Sequence, residues 1–253
     1  MNYVGKAIPR EEDLRLLQGR GRYTDDVNAL GQARAYVLRS PIAHADIQSI
    51  DTTQAKEAPG ILTVLTGHDV EERGLGTLKP AAPGTRSDGS PGFVCSQPLL
   101  AQDRVRFAGE AIAFIVAETL DQAKDAAELI EIEFEPLRVV ASVDDALAPD
   151  APALWDKNPG NEAYTFEQGN AAEVDAALAQ AKHIITHRVC VNRITGNPME
   201  NRGCIAEYDS FEDRYTLRAT VQSVHGIRQQ IAGQILNIPQ TQLRVICDNM
   251  GGG

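Results

Sequence analysis

Between Ala111 and Pro136 the sequence leaves the chain little freedom. Ala111 to Ala117 is an unbroken apolar run of strand length, and Thr119 is a good helix N-cap residue. Ala123, Ala126, Ala127 and Ile130 then recur at helical spacing, before Glu131 to Phe134 reads again as a strand. This strand–helix–strand module, ended by Pro136, commits the middle of the chain to mixed helix and sheet.

The flanks are consistent with that reading. Residues 2–26 carry mixed charge and the glycines Gly5, Gly19 and Gly21 around the apolar stretch Leu14 to Leu17, which predicts an extended arm with one helical turn. Ala33 to Arg39, Ala45 to Ile50 and Ile61 to Leu65 read as strands, with the short helix Thr52 to Glu57 capped by Asp51 and closed by Pro59-Gly60. Glu71 to Pro98 is a Gly-, Pro- and Ser-rich excursion, long enough to be a functional loop or an interface element. Ala148 to Asn161, with Pro149, Pro152 and Pro159, predicts a linker. Beyond it, Val174 to Ala181 reads as a helix and His183 to Asn192 alternates like a strand. Gly203 to Asp209 and Arg214 to Thr220 form a strand pair, Ser223 to Asn237 has helical spacing, and Leu243 to Ile246 is a strand.

Composition removes several functions. A formal charge of -11 and only 5% aromatic residues do not suit a nucleic-acid groove, which needs clustered cations and stacking rings. No run approaches the roughly 18 apolar residues that a bilayer span requires, and the first ten residues lack the apolar core of a secretory signal, so the cytoplasm is the expected compartment. Cys95, Cys190, Cys204 and Cys247 are too dispersed for a zinc knuckle or an iron–sulfur ligand set and read as reduced thiols.

Several phrases taken together carry a resemblance. Gly19-Arg20-Gly21-Arg22-Tyr23-Thr24-Asp25-Asp26, Arg39-Ser40-Pro41-Ile42-Ala43-His44-Ala45 and Pro59-Gly60-Ile61-Leu62-Thr63-Val64-Leu65-Thr66 resemble the opening of the hammerhead domain of molybdenum hydroxylase large subunits. Gly109 to Ala113 through Glu135-Pro136-Leu137 resembles that domain's closing module. Pro198-Met199-Glu200-Asn201-Arg202 resembles the entry to the cofactor-binding domain. Thr220-Val221-Gln222-Ser223 and Met250-Gly251-Gly252-Gly253 are similar to the first two cofactor-contacting segments of the xanthine dehydrogenase, aldehyde oxidase and carbon monoxide dehydrogenase family.

The resemblance implies an α+β fold. An arm and hammerhead domain would occupy residues 1–147, a linker 148–163, and the incomplete start of a mixed α/β molybdopterin-binding domain 164–253. It implies hydroxylation or oxidation of a small substrate (an aldehyde, an N-heterocycle or purine, or carbon monoxide), with water as oxygen source. The cofactor would be molybdenum–molybdopterin, of the cytosine dinucleotide kind. Electrons would pass to iron–sulfur clusters and FAD in separate partner subunits, because no fused electron-transfer domain is expected ahead of the hammerhead phrases; the assembly would be a heterotrimer, doubled. The Gln222 amide would hydrogen-bond the apical ligand of molybdenum as an uncharged donor. Gly251, Gly252 and Gly253 would bring bare backbone N–H groups to the cofactor, where a side chain would block approach. No residue of this chain is expected to ligate metal. The family's general base has no counterpart here, so the 253-residue chain is expected to be catalytically incomplete.

Competing readings are weaker. His183 and His187 form an H-x-x-x-H pair, but Ile184, Ile185 and Val189 favour a strand, where the spacing does not suit zinc. His225 could line the Gln222 pocket. Glu200 and Arg202 read as a structural or channel-wall pair, His44 as a loop-ordering residue, and Glu128, Glu131, Glu133 and Glu135 as a solvated face. Apolar faces around Ile227, Ile231 and Leu243 would be left uncovered in a shortened cofactor domain. A module of the same ancestry that serves docking or assembly without catalysis is the alternative function. A domain-reordered branch of the family is a further rival, which the Gly-Arg-Gly-Arg-Tyr phrase disfavours.

Overall fold

A computed structural model describes residues 3–80 and 84–252. The helices are α1 (Glu11–Leu17), α2 (Thr53–Glu57), α3 (Gly67–Glu72), α4 (Leu120–Glu128), α5 (Val143–Leu147), α6 (Ala171–Gln180) and α7 (Val224–Gln230). The strands are β1 (Arg34–Arg39), β2 (Ala45–Asp51), β3 (Ile61–Thr66), β4 (Arg104–Val105), β5 (Ala111–Ala117), β6 (Glu131–Pro136), β7 (Cys204–Asp209), β8 (Arg214–Ala219) and β9 (Leu243–Ile246). The chain divides into two compact units, Arg34–Thr195 and Met1–Ala33 with Gly196–Gly253.

In the first unit two antiparallel sheets form, ordered β1-β5-β3 and β4-β2-β6. The apolar run of β5 has its physical reason here, because the strand is buried on both faces. Ala113, Ile115 and Ala117 join Val64 and the Ala123, Ala126 and Ala127 face of α4, while Ile112 joins Ala45, Ala101 and Val105. Helix α4 starts where Thr119 directs it: the Thr119 hydroxyl accepts from the Gln122 N–H, and the Thr119 N–H donates to Gln122 Oε1 at 2.9 Å. A second box of this kind, Thr66 with Asp69, opens α3, which the Gly-containing sequence around it had concealed. His44 is buried, and its Nδ1 lies 2.8 Å from the Arg138 carbonyl, so it does order the loop after β6. Glu131, Glu133 and Glu135 lie on the exposed face of β6.

The expected linker is ordered by its side chains. Asn161 Oδ1 accepts from the Leu154 N–H at 2.9 Å, and its amide donates to the Ala146 and Pro152 carbonyls. Arg86 donates to the buried Asn158. Residues 148–163 therefore pack within the first unit.

Two expectations are corrected. His183 to Asn192 is not a strand: the segment has no regular structure, and Ile184, Ile185, Val189 and Val191 are exposed. Alternation alone does not hold a strand that finds no neighbour to bond. In space, the N-terminal arm forms one compact unit with residues 196–253. Leu243 is not uncovered; it is buried with Ala219, Ala232 and Ile235, and Ile227 and Ile231 are partly buried.

The second unit holds a three-stranded sheet ordered β7-β8-β9, with β7–β8 an antiparallel hairpin and β8–β9 parallel. A parallel neighbour requires a crossover, supplied by α7 and a π-helical turn over Ile231–Leu236 that ends on Asn237 in the left-handed region. The single helix expected over 223–237 thus changes its winding at Ile231. Among the described residues no helix is long and apolar enough to cross a membrane.

Candidate functional site

Because β8 and β9 run parallel, with Arg218 beside Ile246, the segments that follow both strands leave the sheet at the same edge. The carboxyl ends of parallel strands are where crevices form in mixed α/β folds. Gln222 follows β8, and Gly251 and Gly252 follow β9, so the parallel pairing puts the two expected contact segments at one edge of the sheet.

Gln222 is exposed, in a bend immediately before Ser223, whose hydroxyl accepts from the Gly226 N–H to cap α7. The capping leaves the Gln222 amide outside the helix and available. His225 is exposed on the first turn of α7.

Gly251 and Gly252 are needed by the protein itself. A Cβ on Gly251 would stand 2.6 Å from Glu200 Cβ, and one on Gly252 would stand 2.5 Å from Pro198 Cβ. Gly252 also has φ +134°, a conformation that side-chain-bearing residues rarely adopt. The Gly251 N–H is engaged within the chain: it donates to Glu200 Oε2 at 2.6 Å. Gly253 lies outside the described residues.

Glu200 is the residue that sequence reasoning placed without seeing its reach. Its Oε1 accepts from the Thr24 N–H at 3.2 Å and the Thr220 hydroxyl at 3.0 Å, and its Oε2 holds Gly251. The Thr220 hydroxyl is also 3.2 Å from that of Thr24, so it donates to the carboxylate and accepts from its neighbour. Asn249 makes a second tie, its Oδ1 accepting from the Arg22 N–H at 2.8 Å and from Arg15 at 3.0 Å. These bonds explain why the Gly-Arg-Gly-Arg-Tyr-Thr phrase belongs with the C-terminal segment. Arg202 is exposed and does not pair with Glu200, so the expected Glu200–Arg202 pair is not formed.

Burial by itself would raise the Glu200 carboxyl, and Asp26 pushes in the same direction. The Gly251 and Thr24 amides and the Thr220 hydroxyl outweigh both and hold it below the ordinary range of a glutamate. A carboxylate with three donors and a depressed pKa is a poor proton acceptor near neutrality. Glu200 is therefore a structural anchor, not a general base. Neither His183 nor His187 lies in regular structure, and among the described residues no three His, Cys, Asp or Glu side chains gather as a metal-ion site.

Comparison with known proteins decides the family. Residues 18–138 match the aldehyde oxidase and xanthine dehydrogenase a/b hammerhead domain, and residues 154–253 match the molybdopterin cofactor-binding domain. The chain belongs to the aldehyde oxidase and xanthine dehydrogenase family. It is 36% identical to the nicotine 6-hydroxylase large subunit of Paenarthrobacter nicotinovorans, over 100% of this chain and 30% of that one. It is 34% identical to the carbon monoxide dehydrogenase large chain of Afipia carboxidovorans, over 99% of this chain and 31% of that one. The quinoline 2-oxidoreductase of Pseudomonas putida superposes with a TM-score of 0.86 at 32% identity, covering 100% of this chain and 31% of that structure. This member of the family thus spans about a third of the length of these relatives.

The residues present can be tested against the molybdopterin group that the family implies. Gln222 fits, since its amide is exposed and lies outside the α7 cap. Gly252 fits in that it carries no side chain at the same sheet edge, with its backbone turned to positive φ. Gly251 does not fit as a donor, because Glu200 already takes its N–H.

Proposed function

We propose that this chain is a segment of the large subunit of a molybdenum hydroxylase. The observation that carries the reading is the parallel β8–β9 pair, which sends Gln222 and the Gly251–Gly252 turn out at one sheet edge, with Glu200 bonded to the segments after both strands. Gln222 would donate its amide to an oxygen ligand of the cofactor, an uncharged contact that orients without competing for the metal. Gly252, and Gly253 beyond it, would admit the cofactor close to the main chain, and Gly251 would serve by letting that chain approach Glu200. The molybdopterin group, in its cytosine dinucleotide form, would supply the oxidation of a small substrate using oxygen from water.

The substrate class spans aldehydes, N-heterocycles or purines, and carbon monoxide, in keeping with relatives named for nicotine, carbon monoxide and xanthine. Electrons would leave through iron–sulfur and FAD partner subunits in a doubled heterotrimer; relatives carrying the names large subunit, large chain and complex subunit gamma support a multi-subunit assembly. Along the chain, the boundary between hammerhead and cofactor-binding parts is placed in residues 148–163.

The test is Gln222→Ala in the full-length enzyme. Turnover is expected to fall by one to two orders of magnitude, on the scale of roughly 10–100-fold losses when outer contacts to a metal centre are removed, with subunit assembly intact. Wild-type turnover at normal molybdenum loading would remove Gln222 from the site.

A further inference from the structure

We propose that Glu200 is a positioning residue for the cofactor site: its carboxylate fixes the separation between the Gln222-bearing segment and the Gly251–Gly252 turn. The inference rests on the cofactor reading of those two segments. It adds a residue that touches neither substrate nor cofactor but decides where both contact segments stand.

The geometry is specific. One oxygen holds the chain just after β8, through the Thr220 hydroxyl at 3.0 Å, and the arm, through the Thr24 N–H at 3.2 Å. The other oxygen holds the chain after β9, through the Gly251 N–H at 2.6 Å. Gln222 stands only two residues beyond Thr220, and Gly252 one beyond Gly251, so both segments have almost no slack from their anchor. The β8–β9 ladder ends at Arg218 and Ile246, and beyond those positions the two segments are not paired with each other. Glu200 bridges that gap where the sheet no longer does.

Only an ionised carboxylate serves all three donors. A glutamine of the same shape would turn an NH2 group toward either the Gly251 N–H or the Thr24–Thr220 pair, placing donor against donor. The absence of a Cβ at Gly251 is a condition of the same arrangement, since a methyl there would meet Glu200 itself.

The experiment uses the full-length protein in its assembled form, with Glu200→Gln, Thr220→Val and Gln222→Ala compared with wild type. Three readouts are taken: the electron paramagnetic resonance spectrum of the Mo(V) state, the molybdenum-to-protein ratio, and hydrogen–deuterium exchange in peptides spanning 244–252. For Glu200→Gln the expected results are exchange at least tenfold faster in that peptide, a shifted or broadened spectrum, and molybdenum content lowered several-fold. Thr220→Val, which keeps the Gly251 bond, should shift the spectrum less and leave exchange at 244–252 near wild type. Unchanged exchange and spectrum in Glu200→Gln, with the Gln222→Ala spectrum altered, would overturn the positioning role alone. An unchanged spectrum in Gln222→Ala would instead overturn the cofactor reading on which it rests. If Glu200→Gln does not assemble, Thr220→Val decides: a wild-type spectrum there overturns the proposal, and a shifted one supports it.

Discussion

The guanidinium carbon of Arg106 stands 4.0 Å from the centroid of the Trp155 ring. Its Nε donates to the Leu154 carbonyl at 2.9 Å, and Phe93 packs against the indole with ring centroids 6.1 Å apart. This cluster pins the proline-rich segment after β6 to the strand β4 region and to the excursion loop. Trp155 is the one tryptophan of the chain, so its fluorescence reports on the cluster directly. Arg106→Ala removes a cation–π contact and a charge-assisted hydrogen bond, a loss of about 2–4 kcal/mol. The emission maximum should move to the red and the urea midpoint should fall. Arg106→Lys should recover less than half of the loss, because an ammonium group lacks the planar face that stacks on the ring. An Arg106→Ala protein with wild-type emission and midpoint would rule the contact out as a stabilising one.

Strand β5 offers a second test. Ile112 and Ile115 are both fully buried, on opposite faces of the strand, each within its own cluster. Truncating either to alanine leaves a cavity that close-packed neighbours fill only in part, at about 2–5 kcal/mol each. Leu62→Ala, at a position 59% exposed on β3, should change stability by no more than about 0.5 kcal/mol. Equal effects at Leu62 and Ile115 would contradict the two-faced burial of β5.

The contrast between β5 and the 183–192 segment shows what a sequence makes readable. At β5 the local pattern and the tertiary environment agree: an apolar run meets apolar surface on both faces, and Thr119 with Gln122 fixes where the next helix begins. At 183–192 the alternation of Ile, His and Val is just as regular, but no neighbouring strand is present among the described residues, and pairing is a property of two segments. The proposed Gln222 and Gly251–Gly252 segments are each marked in the sequence by a short phrase. Glu200 was not legible as their link, since its partners Thr24, Thr220 and Gly251 lie 176, 20 and 51 residues away and are ordinary residue types. The same holds for Asn249, 227 residues from the Arg22 amide it accepts.

Gly251 and Gly252 should resist substitution unequally by mechanism but alike in direction. A methyl on Gly251 meets Glu200 and Tyr23, and one on Gly252 meets Pro198 and also forces a side chain into positive φ. Gly251→Ala overpacks the turn, at about 1–3 kcal/mol. Gly252→Ala adds backbone strain to a similar clash and should be the costlier of the two. Thermal unfolding of the two variants side by side provides the check; an order with Gly251→Ala clearly worse would place the dominant constraint at Glu200.

Acid should release the Glu200 anchor in a defined direction. The folded protein holds this carboxyl below its ordinary value, because the Gly251, Thr24 and Thr220 donors outweigh burial and Asp26. In the unfolded chain it titrates near its usual value, about 4.3. A group depressed by folding contributes its full stabilisation above the unfolded value and loses it as pH falls through the folded one. The difference in stability between wild type and Glu200→Gln should therefore be constant from neutral pH down to about pH 6 and shrink below about pH 4. Glu162, likewise held low by the Ser87 amide and the Thr165 and Ser87 hydroxyls, titrates in both proteins and cancels from the difference. Urea midpoints taken from pH 3 to pH 8 give that difference directly. A gap between the two proteins that stays constant to pH 3 would show that the charge on Glu200 is not what holds Gly251 to Thr220.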